Sequence, residues 1–409
     1  MSEVLEYSRV ADAVWKIGPP RVLAGLDRAY TLDHAAHRAV HGPLPAIDAE
    51  RLLALLDESG LSGRGGAGFP LAMKLRSLRG ARPTVVVNGS ESEPASSKDR
   101  TLMRRTPHLV LDGALAVASA VRASRVIVAV HDMAAADAIE HATRQRRDAR
   151  RVVVMLTGPE FVGGEARTLL RVLAGGPALP PGRRSHATSD GYLVSNVETL
   201  AQTAVLIRTG AREFAATGTR REPGTVLLSV GGAVARPGVV EAPLGTPLGI
   251  LLRAAGADDA AYVVVGGYHG GWLRPAPDIP LSRAGIAAAG ASLGAGVLFV
   301  LDSTTCALGE LARSTAWLAA QSAGQCGPCR FGLPALAADV IAAAHGDPRG
   351  VTAAQRHSEL VTGRGACAHP DGTARFVASG LAVLRDEIVA HRGGGCGRID
   401  RGLLPTGAF

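Results

Sequence analysis

Three rhythms of apolar and polar positions follow one another along the chain. Up to about residue 59 apolar residues recur at helical spacing, most clearly over 48–56, and Gly60 closes the run. Helical and short all-apolar runs then alternate. The pattern predicts helices over 70–78, 109–121 and 134–144, with strands at 84–88, 126–130 and 151–156. Buried strands separated by helices predict a parallel α/β layer, in which ligands sit beyond the carboxyl ends of the strands. Near Arg220 the text turns β-like. Strands at 226–230, 235–240, 261–265 and 296–301 accompany one helix at 246–255, making a small α+β module. From Asp302 the spacing is helical again, with a helix opening at Cys306.

Length and composition narrow the class. The 409 residues allow two or three domains, and the rhythm divides them as 1–220, 221–301 and 302–409. Hydrophobic residues make up 47% but aromatics only 4%, so aliphatic side chains and alanine must fill the core. No apolar run is long enough to span a bilayer. The N-terminus carries Glu3, Glu6 and Asp12 where an export signal is apolar, so a cytoplasmic location is expected. The net charge of +8 comes without a dense basic block or interleaved aromatics. That argues against nucleic acid and for an acidic protein partner. Among 44 basic residues only Lys16, Lys74 and Lys98 are lysines, and two of them flank candidate ligand loops.

Those loops hold the candidate chemistry. In Leu61-Ser62-Gly63-Arg64-Gly65-Gly66-Ala67-Gly68-Phe69-Pro70 the glycines permit close backbone approach, and Pro70 suits a helix start. Arg64 and Lys74 add positive charge, so the loop suits an anion. It is neither GxGxxG nor GxxxxGK[ST], and the usual dinucleotide and P-loop readings do not fit. Asn88-Gly89-Ser90-Glu91-Ser92-Glu93, closed by Lys98-Asp99-Arg100, offers an amide and carboxylates to a heterocycle such as a flavin. Gly163-Gly164-Glu165 and Asn196-Val197-Glu198-Thr199 are weaker signals, each readable as turn or helix-cap chemistry. Five cysteines, an odd number bunched in the last third, argue for metal or redox use. The Cys326/Cys329 CxxC pair suits an iron–sulfur cluster, with a single zinc as the alternative.

Taken in order and spacing, these strings resemble the NADH-binding flavoprotein component of NADH-quinone oxidoreductase, over roughly residues 60–384. The resemblance implies an α/β fold with a Rossmann-like FMN-binding domain, a ubiquitin-like β-grasp domain and a C-terminal helical bundle carrying an iron–sulfur site. It implies that Gly63, Arg64, Gly65, Gly66 and Lys74 hold the FMN phosphate and ring edge. Asn88, Ser90, Glu91, Gly164, Glu165, Asn196 and Thr199 would hold the isoalloxazine and ribityl groups. Phe69 would lie beside the dinucleotide, and Glu93, the catalytic candidate, near the nicotinamide. Cys326, Cys329 and Cys367 would hold a [4Fe–4S] or [3Fe–4S] cluster. Electrons would pass from NAD(P)H through FMN and the cluster to a ferredoxin-like or thioredoxin-like partner within a hetero-oligomer.

The departures from that family sharpen the expectations. Ser90 stands where the family has Asp, and Ala166 where it has a second Glu. Ser77 and the stretch 182–190 lack the aromatics that stack on adenine. Stacking contributes about 0.5–1.5 kcal/mol per pair, so losing two weakens NADH by about tenfold to a hundredfold unless Arg76 or His186 compensates. Ala323 replaces the first cysteine of CxxCxxC, leaving Cys396, Cys306 or His369 as candidates for a fourth cluster ligand. Two further readings stay open: a flavoprotein relay fed by a donor other than NADH, and a non-catalytic scaffold that binds a partner.

Overall fold

The computed structural model describes residues 13–182 and 186–406, so Glu3, Glu6 and Asp12 lie outside the described residues. In chain order its strands are β1 (Val14–Lys16), β2 (Thr84–Gly89), β3 (Arg125–Val130), β4 (Val152–Leu156) and β5 (Tyr192–Asn196). They continue with β6 (Thr225–Gly232), β7 (Gly238–Pro243), β8 (Ala260–Val265), β9 (Gly271–Leu273) and β10 (Val297–Asp302).

The first sheet runs β4-β3-β2-β5 with every pair parallel. Its central strand explains the all-apolar run in the sequence, because Val85, Val86 and Val87 are buried between layers on both faces. The helices Pro107–Ala120, Met133–Arg144 and Val197–Ala215 connect and cover these strands. Glycine sets the close approach of two of them. A Cβ on Gly113 would lie 1.9 Å from Leu200 O, so only glycine lets these helices pack at this distance.

The second sheet is mixed, in the order β1-β7-β6-β10-β8-β9. Its β6–β7 hairpin is antiparallel, while β10 runs parallel to β6. The second strand of that hairpin begins at Gly238, later than the sequence pattern suggests. Pro237 has no N–H to give a ladder, and Gly238 takes φ 147°. The sheet also recruits β1, which pairs in parallel with β7 and closes an otherwise open edge. The early residues, helical in rhythm, thus contribute a strand beyond the expected 220/221 division.

One face of this sheet packs on the C-terminal helices through Tyr268, Trp272, Phe299, Leu308, Leu311 and Phe376, all buried. Those helices are Ala307–Ala320, Leu333–Ala344, Gly350–Val361, His369–Val383 and Arg385–Arg392. The last segment then folds back onto them. Glu310 accepts the N–H groups of Leu403 and Leu404, and the Tyr268 hydroxyl donates to Pro405 O at 2.6 Å. Among the described residues no helix is long and apolar enough to cross a membrane.

Candidate functional site

Asn88 and Asn196 are register partners at the carboxyl ends of β2 and β5. Beyond those ends lies a cavity of about 420 Å³. Its walls come from the glycine loop (Arg64, Gly65, Gly66), the 88–99 loop, Gly164 and Glu165, and the second sheet's Gly266, His269 and Gly294. Cys367 lines the same cavity from the helical side. The parallel strands therefore end at a hollow where the fold class expects a ligand, lined in part by loops of the second sheet.

The glycine loop is folded on itself, with Gly68 N–H donating to Gly65 O at 3.0 Å. Arg283 braces it from behind, its guanidinium donating to the carbonyls of Gly63, Gly65 and Gly66. With those carbonyls engaged, the N–H groups of Gly65, Gly66 and Ala67 have no protein acceptor among the described residues. A run of unpaired N–H groups on a cavity wall is a cradle for an anionic group such as a phosphate.

Arg64 does different work from the one expected. Its guanidinium turns away and donates to Ser62 O, Pro223 O and Thr225 O, 3.9 Å from Glu198. Burial lowers it to about 10. It ties the loop to the second sheet, while its backbone N–H donates to Thr199 Oγ1 at 2.8 Å. Four expected residues are off the cavity wall. Gly63 and Thr199 support the loop from behind, and Phe69 is 45% exposed. Lys74 donates its Nζ to Val194 O at 2.8 Å, and burial brings its ammonium down to about 8.

Several expected polar contacts are spent on the protein itself. Glu91 accepts from Ser96 Oγ and from the N–H groups of Asp99 and Arg100, capping the helix Lys98–Arg105. Glu165 caps the helix Ala166–Leu173 through Thr168, and Asn196 caps Val197–Ala215 through the Glu198 N–H. Asn88 Nδ2 donates to Gly164 O at 2.9 Å, and Ser90 Oγ meets Thr157 Oγ1 at 3.3 Å. These residues shape the wall with their backbones and hold it rigid.

Lys98, outside the expected ligand set, is the electrostatic centre. It is 2% exposed, hydrogen-bonded to Asp99 Oδ1 at 2.9 Å and ion-paired with Glu198 Oε2 at 2.9 Å. Glu198 Oε1 in turn accepts the Leu227 N–H on β6. Burial raises the Asp99 carboxyl, with Lys98 opposing and Glu91 and Glu198 adding to the rise. The scarcity of lysine was the sequence signal for this position. His269 and His369 carried no such signal, because their contact at 3.0 Å joins positions a hundred residues apart.

Glu93 is the buried carboxyl with unspent capacity. Oε2 accepts the Tyr268 N–H at 2.8 Å, whereas Oε1 has no partner. Burial pushes it up to about 8, so it is mainly neutral at pH 7 and can hold a proton at the cavity edge. Because the folded value is raised, its contribution to stability is full below the unfolded value near 4.5 and is lost as pH rises to about 8. Glu93→Gln is therefore expected to flatten the fall in melting temperature between pH 5 and 8. Parallel pH profiles for the two proteins would expose the idea as wrong.

The cysteines form two groups. Cys326 Sγ lies 3.5 Å from Cys329 Sγ, at the start of a π-helical turn, Pro328–Gly332. Burial, then Cys326, then Cys367 push the Cys329 thiol up to about 12. A set of thiols beside a cavity fits an iron–sulfur group. The candidates for a fourth ligand do not join them. Both His369 nitrogens are engaged, by His269 and by Leu318 O, while Cys306 and Cys396 gather instead with Glu387 and His391.

Comparison with known proteins finds two family matches along the chain. Residues 56–205 match the Nuo51 FMN-binding domain, and 309–391 match the NADH-ubiquinone oxidoreductase-F iron-sulfur binding region. The F component of the Mycobacterium tuberculosis NADH-quinone oxidoreductase is 32% identical over 380 residues, covering 84% of this chain and 85% of that protein. The Streptomyces coelicolor protein of the same name is 32% identical over 407 residues, covering 90% of each. Among solved structures, an NAD+-reducing [NiFe]-hydrogenase in the air-oxidized state superposes with a TM-score of 0.82 at 29% identity, over 95% of this chain and 69% of that one.

Proposed function

The protein belongs to the NADH-quinone oxidoreductase F-component family, and from that membership we propose how this flavin and iron–sulfur electron-transfer oxidoreductase divides its labour. The observation that carries the proposal is that one cavity is lined both by the glycine loop and by Cys367. Bound FMN would supply the exchange between a nicotinamide's hydride and single electrons, and Cys326, Cys329 and Cys367 would hold an iron–sulfur group able to take those electrons.

The residues bind, orient and exclude water. Gly65, Gly66 and Ala67 offer N–H groups to the phosphate, with Gly63, Arg64 and Thr199 fixing the loop's shape. Asn88, Ser90, Glu91, Gly164, Glu165 and Asn196 frame the ring and ribityl group, largely through backbone held by their own caps. Lys74, bonded to Val194 O on β5, steadies the strand end from off the wall, and the exposed Phe69 is left to the dinucleotide. Glu93 holds or moves a proton at its unpaired Oε1. We take 1–220 as the flavin unit, 221–301 as a β-grasp docking module and 302–409 as the iron–sulfur unit. The relatives are named as parts of larger enzymes, and the +8 charge favours a hetero-oligomer with an acidic, ferredoxin-like or thioredoxin-like iron–sulfur partner.

A specific observation keeps a second donor in view. Arg76, one of the two residues that could compensate for the lost aromatics, is paired with Asp57 rather than set to stack on adenine. Anaerobic reduction by NADH, NADPH and reduced ferredoxin separates the readings. The family reading expects NADH to reduce the flavin fastest. Reduction by ferredoxin alone would overturn it.

A further inference from the structure

Cys306, Glu387, His391 and Cys396 are used by nothing described so far. Each presents one ligand atom, and the four atoms lie within 4.8 Å of one another. We propose that they form a second metal site, separate from the iron–sulfur cysteines, that takes a zinc-class divalent cation and clasps the C-terminal segment to the helical unit.

The local fold builds the site from three directions. Cys306 precedes the helix Ala307–Ala320 and accepts the Gly309 N–H at 3.3 Å. Glu387 and His391 stand one turn apart on the helix Arg385–Arg392. Cys396 arrives on the loop Gly393-Gly394-Gly395-Cys396-Gly397, where φ of 112°, 123° and 68° at Gly394, Gly395 and Gly397 turns the backbone around. Beyond it, Cys306 N–H donates to Ile399 O at 2.9 Å and Ile399 N–H to Thr304 O, which fixes the return.

The donor chemistry is that of zinc. Two thiolates, one imidazole and one carboxylate suit a borderline-soft ion in a closed tetrahedral shell. Zn–S bonds of about 2.3 Å and Zn–N bonds of about 2.0–2.1 Å set sulfur and nitrogen about 3.6 Å apart in a tetrahedron. Cys306 Sγ and His391 Nε2 are 3.4 Å apart. The other ring nitrogen, Nδ1, is hydrogen-bonded to Ala344 O at 2.5 Å. That bond fixes the Nδ1–H tautomer and leaves the Nε2 lone pair facing the site, the usual support for a metal-binding histidine. Glu387 also accepts the N–H groups of Ala307 and Leu308, and Arg398 at 3.3 Å. With the arginine counted, two thiolates and a carboxylate balance a divalent cation. Binding displaces the two thiol protons to solvent, with no change in oxidation state.

Metal analysis of the flavin- and iron-loaded protein, purified without added zinc or chelator, tests the proposal. About one zinc per polypeptide is expected beside the iron. Cys306→Ser and Cys396→Ser should each lower zinc at least about tenfold while leaving iron and flavin unchanged. Serine still offers an acceptor to the Gly309 N–H, and Cys396 sits on a surface loop, so neither change threatens folding. Cys329→Ser should do the reverse, losing iron and keeping zinc. The proposal fails if zinc is absent and not taken up from zinc sulfate, or if both serine variants retain it. A native Cys306–Cys396 disulfide, read as a mass two hydrogens lighter, would equally overturn it.

Discussion

Replacing Lys98 with methionine is expected to lower folding stability by about 3–5 kcal/mol and to empty the flavin site. The methylene stem of lysine is mimicked, so the change removes chiefly the charge. What remains is a buried cluster of Asp99, Glu198 and Glu91 that has lost its directly paired cation, with Arg64 at 3.9 Å from Glu198. Either those carboxylates take up protons or the helix Lys98–Arg105 moves away from Val197–Ala215, and both disturb the loop that frames the cavity. Lys98 also joins the first sheet to β6 through Glu198, so the two sheets lose one of their ties. Urea denaturation and the flavin-to-protein ratio measure the two effects. Adding Glu198→Gln should recover part of the stability, because it removes one of the stranded charges. Full flavin occupancy with an unchanged unfolding midpoint would refute this role.

The second large effect is expected from Cys329→Ser. Its thiol is buried beside Cys326 and under the influence of Cys367, and a hydroxyl is a poor ligand for iron. The iron content and the broad visible absorption should be lost, while flavin remains, since Cys329 is not among the residues that line the cavity. Reduction of the flavin by the nicotinamide should continue at its former rate. Transfer to a one-electron protein acceptor should fall by about a hundredfold or more. Loss of flavin together with iron would mean that the two sites do not fold independently.

How far these features could be read from the sequence depends on how local their causes are. The parallel sheet followed from the apolar run at Val85–Val87, and the glycine loop from its composition, because strand burial and turn chemistry are written within a few residues. The approach of Cys326 to Cys329 was legible for the same reason, since two residues between them bring the thiols together. The direction of Arg64 was not. Its acceptors, Pro223 O and Thr225 O, come from a part of the sequence some 160 positions away. The same holds for β1, whose partner strand lies in the second sheet, and for His269, which meets His369 only after the helical unit packs. Glu91, Glu165 and Asn196 fall between these cases. Their cap chemistry was visible in the sequence, but which role the carboxylates take depends on the three-dimensional wall they support.

The measurement that bears most directly on the whole account is an anaerobic visible spectrum of the purified protein, recorded before and after adding NADH. The account expects flavin bands over broad iron–sulfur absorption, with the flavin bleached first and the cluster following. A protein without either chromophore would contradict it.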